Sequence, residues 1–159
     1  MTRRPFIASL LVAAACVENP TVPKLGGGAI ELKVRASRAE IGPGEADSIV
    51  VTAINNLTEQ ARIRFRVDVP CQILVYIRDQ SGRTVVPEGG QHSCVPVPSQ
   101  LTIPASGSVS RVFIWKGGTM FDPPGSANRL PPGDYFVSAA MNADGFSVPG
   151  FAVTVKLRS

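Results

Sequence analysis

The side chains best suited to covalent chemistry crowd into one short stretch, His92-Ser93-Cys94, and His92 is the one histidine of the chain. Nucleophilic catalysis needs a nucleophile within hydrogen-bond reach of a base, and a third group to orient that base. Sequence neighbours on a glycine-rich loop do not supply this geometry, and the chain has no G-x-S-x-G turn. The expectation for His92 is a solvated loop histidine. The carboxylates are scattered, with Asp79 and Asp134 in turn sequences and Glu88 and Asp122 in loops. Side-chain bonding within turns accounts for Asp79 and Asp134 without general acid–base work. The glycine runs do not lead into a helix, so no phosphate cradle is expected. These residues point to a non-enzymatic protein with no cofactor and no small-molecule substrate.

The cysteines carry more information. There are three, Cys16, Cys71 and Cys94, and an odd number in an exported protein needs an explanation. Arg3 and Arg4 open the chain, an apolar run of about ten residues follows from Phe6 to Ala15, and Ala13-Ala14-Ala15 stand directly before Cys16. This is the layout of a secretory signal peptide, and the run is too short to span a bilayer. A cysteine after small residues resembles the lipobox of bacterial lipoproteins, with Ala13 where a leucine is usual; the alternative is an ordinary cleaved signal in which Cys16 is incidental. The resemblance implies cleavage before Cys16, a diacylglycerol on its thiol and an acylated new N-terminus. Several acyl chains hold a protein stably on a membrane. Val17 rather than aspartate follows, which resembles the outer-membrane sorting pattern. The expected address is the bacterial cell envelope, on the periplasmic face of the outer membrane if the cell is Gram-negative. The stretch VENPTVPKLGGG cannot pack and reads as a tether. Residues 1–15 are therefore expected to be a signal peptide, 16–28 the lipidated cysteine and tether, and 29–159 one domain.

Lipidation of Cys16 leaves Cys71 and Cys94 as a pair, which should oxidise outside the cytoplasm. A closed loop of about 24 residues is worth roughly 3 to 3.5 kcal/mol in the chain-entropy model. The competing metal site lacks ligands, since zinc wants four N/S donors, or three and a water. No metal is expected.

Short alternating strands must position these groups. In AIELKVRAS, Ile30, Leu32 and Val34 oppose Glu31, Lys33 and Arg35. IGPGEADS reads as a turn cluster, and DSIVVTAINN as a central strand ending in a turn at Asn55, Asn56 and Thr58. ARIRFRVDV sets Ile63, Phe65 and Val67 against Arg62, Arg64 and Arg66. Strands are also expected at CQILVYIRD, GRTVVP, LTIP, VSRVFIWK, DYFVSAAMN and GFAVTVKLR. Gly 15 and Pro 14 among 159 residues suit such a turn-rich all-β domain. About seven to nine short strands imply an antiparallel two-sheet β-sandwich. In LPPGDY, a Pro-Gly turn precedes a tyrosine that opens a strand, the pattern of a tyrosine corner in Ig-like domains.

Two surface features are candidate partner contacts. Alternation puts Arg62, Arg64 and Arg66 on one face, about 6 to 7 Å apart. They suit a solvated edge-protecting face, an acidic partner or a lipid headgroup. The loop from Gly117 to Arg129 carries Met120 and Phe121, which either cap the core or meet a protein partner. Nucleic acid is not expected, because the net charge of +4 falls to about +2 without Arg3 and Arg4.

The order of Asn55, RDQSG with Asp79 and Gly82, FIW with Trp115, and LPPGDYFVSA with Pro132, Gly133 and Tyr135 resembles the BsuPI-type intracellular proteinase inhibitor domain, from about Ile30 to Leu157. The resemblance implies an Ig-like β-sandwich and proteinase inhibition, with a protease or an envelope protein as partner. ILVYI stands where that family often has an aromatic-Asp pair, and Val85-Val86 where it often has tryptophan. A structural or envelope-assembly module is the alternative.

Overall fold

The computed structural model describes residues 28–122 and 128–159. The expected signal peptide, the lipidation of Cys16 and the tether before Gly28 lie outside the described residues. Ten strands organise the described residues: β1 (Ile30–Ala36), β2 (Glu40–Ile41), β3 (Asp47–Asn55), β4 (Ala61–Phe65), β5 (Leu74–Arg78), β6 (Thr84–Val86), β7 (Ser99–Ile103), β8 (Ser108–Trp115), β9 (Gly133–Ala143) and β10 (Phe146–Leu157). Val69–Cys71 and Glu88–Gly90 are short 3₁₀ segments. No helix among the described residues is long and apolar enough to cross a membrane.

The alternation read from the sequence is the alternation of burial. Ile30, Leu32 and Val34 of β1 point into the core while Lys33 and Arg35 are exposed. β4 buries Ala61, Ile63 and Phe65 and exposes Arg62 and Arg64. β3 is central, with β1 on one side and β8 on the other.

The expected all-β class holds, but the strands number ten rather than seven to nine, and they do not pair as an antiparallel two-sheet sandwich. Eight strands share one sheet in the order β6-β5-β9-β10-β1-β3-β8, with β2 beside β10, and β4 and β7 form a separate two-stranded sheet. β10 runs parallel to both β1 and β2, and the remaining pairs are antiparallel. Parallel neighbours need a long crossover, and the whole chain between β1 and β10 serves as one.

The large sheet curls. Trp115 on β8 and Tyr135 on β9 are separated by β10, β1 and β3, which in a flat sheet would put their strands about 19 Å apart. Their rings lie 5.8 Å apart, edge to face. At the same turn of the sheet, Arg111 of β8 donates to the Val69 carbonyl (2.6 Å) and to Gln72 Oε1 (2.7 Å), just ahead of β5. The concave face holds the core, with Trp115, Ile49, Ile77, Val137 and Met141 fully buried and the inner side chains of β4 and β7 packed against it.

Polar side chains fix the strand ends. Asn55 is buried at the end of β3; its amide donates to the carbonyls of Glu59 (2.7 Å) and Pro104 (2.9 Å), and its Oδ1 accepts from Leu57 N (3.0 Å). Asp47, buried at the start of β3, accepts from Ser37 N, Ser37 Oγ and Arg38 N through Oδ1. The Tyr135 hydroxyl donates to the Pro131 carbonyl at 2.8 Å, the bond expected of LPPGDY. At Gly150 side chains of β1 and β9 approach so closely that an added Cβ would lie 3.1 to 3.3 Å from side-chain atoms of Val34, Ala139 and Leu32.

Candidate functional site

The loop after β8 is tied down from both sides. Gly118 bridges to Arg129 and Ile114 to Asp122, the Trp115 indole donates to the Gly118 carbonyl at 2.7 Å, and Lys116 pairs with Asp122. Within this frame Phe121 is half-buried against Phe113, ring centroids 5.4 Å apart, while Met120 is exposed. The two residues singled out in the sequence thus divide: Phe121 caps the core and Met120 faces outward.

Beside this loop lies an open cleft of about 530 Å³ lined by Arg83, Val85, Glu88, Gly89, Thr119 and Leu130. A hollow of about 290 Å³ continues it past Gln80, Pro131, Asp134 and Tyr135. Its polar groups are largely engaged. Asp79 Oδ1 accepts from Ser81 N, Ser81 Oγ and Arg83 N, and Oδ2 accepts from Arg83 Nε. The Ser81 hydroxyl above all holds the Asp79 carboxyl below its usual range. The turn role expected of Asp79 is what the structure shows; Asp134 instead accepts a long bond from Gln80 (3.5 Å). Thr119 donates to Glu88 at 3.3 Å. A carboxylate is too weak a base to make an alkoxide of threonine, so this pair shapes the cleft rather than reacting.

Arg62, Arg64 and Arg66 do share an exposed side of the chain. Arg66 pairs with Asp144 at the β9–β10 turn (2.8 Å), while Arg62 and Arg64 have no ion pair among the described residues and stand opposite Thr102 and Gln100 of β7. The structure does not bring this strip to the Met120 loop. Arg66 meets the Asp144 turn at one end of the β9–β10 hairpin, and Gly117 touches Leu157 at the other. Eleven residues of β9 span about 33 Å between those ends.

Cys71 and Cys94 form the expected disulfide, with Cα atoms 5.8 Å apart. Asp68 lies against both sulfurs, but bonded sulfurs are not thiolates and offer a metal little. His92 departs from the expectation of a solvated loop residue. It is half-buried, Nε2 lies 3.0 Å from the Val75 carbonyl, and its ring meets Tyr76 edge-on at 4.9 Å. Burial pushes its pKa down, the Val75 bond opposing. No nucleophile is paired with it among the described residues.

One feature escaped the sequence reading. Val69, Val95 and Val97 gather around the disulfide at 54%, 54% and 53% exposure. The signal lay in the repeat VPVP at residues 95–98 and in VPC at 69–71, whose valines have no polar alternation to turn them inward.

The fold defines the class: an all-β domain with a curled sheet, a small second sheet and one disulfide. No family model matches the chain, and no curated protein matches it. Among solved structures, an alkylpurine DNA glycosylase of Pseudomonas fluorescens bound to DNA containing an abasic site analog aligns at 12% identity and TM-score 0.47, over 84% of this chain and 31% of that one. A β-glucosidase from Erythrobacter marinus aligns at 14% identity and TM-score 0.45, over 81% and 15%. The sporulation control protein of Bacillus subtilis aligns at 13% identity and TM-score 0.44, over 83% and 50%. The chain thus spans half or less of each of these structures, and at such scores the likeness bears on neither activity nor partner.

Proposed function

We propose that this protein is an extracytoplasmic lipoprotein, anchored through Cys16, whose Ig-like β-sandwich domain binds protein without catalysing a reaction. Proteinase inhibition is the form of binding that the BsuPI-type resemblance implies. The observation that carries the reading is the display of exposed apolar side chains on backbone fixed at both ends: Met120 between two bridges, and Val69, Val95 and Val97 around the disulfide. Exposed apolar residues on rigid supports are what a protein partner needs, since little ordering entropy is left to lose on binding. The Cys71–Cys94 bond suits an oxidising compartment. Asn56 holds the carbonyls of Gly28 and Ala29 beside the end of β3, far from the Met120 loop.

The second reading, a structural or envelope-assembly module, is favoured by β8. This strand ends the large sheet, and its one charged side chain, Arg111, turns back to Val69 and Gln72. Outside the Ile114 bridge to Asp122, an edge without outward charge invites strand addition.

Titration of the mature protein, disulfide formed, against serine, cysteine and metalloproteases separates the readings, with residual protease activity and intact mass followed together. Stoichiometric loss of protease activity with the domain intact is the expected result. Full activity across the panel would remove inhibition and leave the assembly reading, to be pursued through envelope partners that co-purify.

A further inference from the structure

Phe151 is the most exposed large apolar side chain among the described residues, at 84%. It sits where β10 slips its register against β9. Gly150 stands opposite Ala139 and Val153 opposite Val137, so Phe151 and Ala152 share Ser138 as their one opposite. Such a bulge re-aims a side chain and interrupts the ladder. The face that the ring joins is the convex one, away from the core. β9 buries Tyr135, Val137, Ala139 and Met141 on the concave side and turns Phe136 outward, 39% exposed.

Cations flank the two rings. Arg78 of β5 stands directly opposite Phe136. Lys33 follows Leu32 on β1 as Phe151 follows its partner Gly150 on β10, and Arg35 is the next outward residue of β1. Arg35 and Arg78 have no ion pair among the described residues, and Lys33 has a loose one with Glu31 at 3.7 Å. The charged side chains of β1, β5, β9 and β10 are Lys33, Arg35, Arg78 and Lys156 against Glu31 and Asp134, a surplus of two positive charges. Small residues, Ser138, Ala152 and Thr154, lie between the rings and the cations. Tyr76, the other outward residue of β5, is covered by His92, which bounds the strip.

This combination fits a lipid surface rather than a protein. A protein interface needs a complementary shape and a core patch depleted of charge. Here a single ring protrudes from a convex face, small residues surround it, and long cationic side chains flank it. A fluid anionic bilayer moulds itself to such a face. It takes the ring into the boundary between headgroups and acyl chains, and its phosphates answer the cations. We propose that this strip is a membrane-docking face for anionic phospholipid, with Phe151 inserted and Lys33, Arg35 and Arg78 on the headgroups. It needs neither an acyl chain on Cys16 nor the protein-binding reading above.

The test uses the full chain carrying C16S, which no acyl chain can anchor. It is mixed with vesicles of phosphatidylcholine and phosphatidylglycerol in equal parts, or of phosphatidylcholine alone, and binding is read by co-sedimentation. The anionic vesicles should bind more tightly by about 100-fold, at about fivefold for each of three cations, and salt should weaken that preference. In the same background F151A should bind about tenfold more weakly, and K33Q/R35Q/R78Q should lose most of the anionic preference. All four side chains are largely exposed, so unchanged urea midpoints separate a binding defect from misfolding. The N-terminal apolar run is common to every variant, so hydrogen exchange over residues 150–153 supplies a local reading. That exchange should slow on anionic vesicles. Exchange there that ignores the vesicles overturns the proposal, whatever the sedimentation shows. Equal affinity of F151A and its parent overturns it as well, as does indifference to phosphatidylglycerol. A dimer that F151A dissolves, with no vesicle binding, would give the strip to a second copy of the chain instead.

Discussion

Replacing Asn55 by alanine is expected to cost about 3 kcal/mol. The side chain is 1% exposed, and three of its contacts fall within good hydrogen-bond range: Glu59 O at 2.7 Å, Pro104 O at 2.9 Å and Leu57 N at 3.0 Å. A buried hydrogen bond contributes about 1 kcal/mol net, and the cost rises where the partner is left unpaired. With a urea slope of about 1.5 to 2 kcal/mol/M for a domain of this size, the midpoint should fall by about 1.5 to 2 M. Trp115 is the one tryptophan and is fully buried, so its fluorescence reports the transition. Asn55→Asp sharpens the test. Its shape is nearly unchanged, but a donor becomes an acceptor facing two carbonyls. That arrangement disfavours the charged form, so the introduced carboxyl has a folded pKa above its unfolded value of about 4. A raised folded pKa confers relative stability below the unfolded value, and that stability is lost as pH rises through the folded value. Asn55→Asp should therefore be the less stable variant at pH 7 and should gain on Asn55→Ala toward pH 4. An alanine variant within about 0.5 kcal/mol of wild type, the scatter of ordinary surface substitutions, would show that water replaces these bonds freely. An Asp deficit that ignores pH would refute the account of which atoms face the side chain.

Three further outcomes are expected. Replacing Cys71 and Cys94 by serine should lower stability by about 3 kcal/mol, as the roughly 24-residue loop is released in the unfolded chain; an unchanged urea midpoint would contradict this. His92 has a folded pKa below its unfolded value, so the unfolded chain takes up its proton first and stability falls as pH drops below about 6.5. Urea midpoints between pH 7 and 5.5 should show that slope, and His92→Gln should flatten it; the carboxyls of Glu45 and Asp79, both pushed down, act only at lower pH. Gly150→Val should destabilise by about 1 to 3 kcal/mol through crowding against Leu32, Val34 and Ala139, although valine is the better strand former; a rise in thermal midpoint would show that β1 can move aside.

The sequence showed the strands plainly where one face is buried and the other wet. β1 and β4 are legible because Lys33, Arg35, Arg62 and Arg64 alternate with core residues. β2, Glu40–Ile41, was hidden where RAE runs into the turn sequence IGPGEADS, since two residues have no period; only their parallel pairing with Lys156 and Leu157 of β10 makes them a strand. The start of β10 was hidden likewise, because Pro149 and Gly150 look like a turn. Pro149 sits outward and exposed, and Gly150 is where β1 packs close. The pairing of β1 with β10 depends on contacts between distant residues, which no local pattern encodes. The site was read by halves. Met120, Phe121 and the arginines stood out by type, and the cysteines by number. The valine cluster did not, because Val69 joins Val95 and Val97 only once the disulfide and Asp68 have folded the chain back. Asn55 and His92 were legible as turn and loop residues but not as buried ones, since burial is decided by the strands that close over them.

The place of β10 also sets an order of assembly. It is the last strand, yet it lies inside the large sheet, between β9 on one side and β1 and β2 on the other. Until it arrives, the inner edge of β1 has no strand neighbour, and no backbone ladder joins the two halves of the large sheet. Pairings between distant segments form slowly, because the loop must close before any contact rewards it. A chain delivered N-terminus first therefore stays open until its final dozen residues appear, and then completes the whole sheet at once.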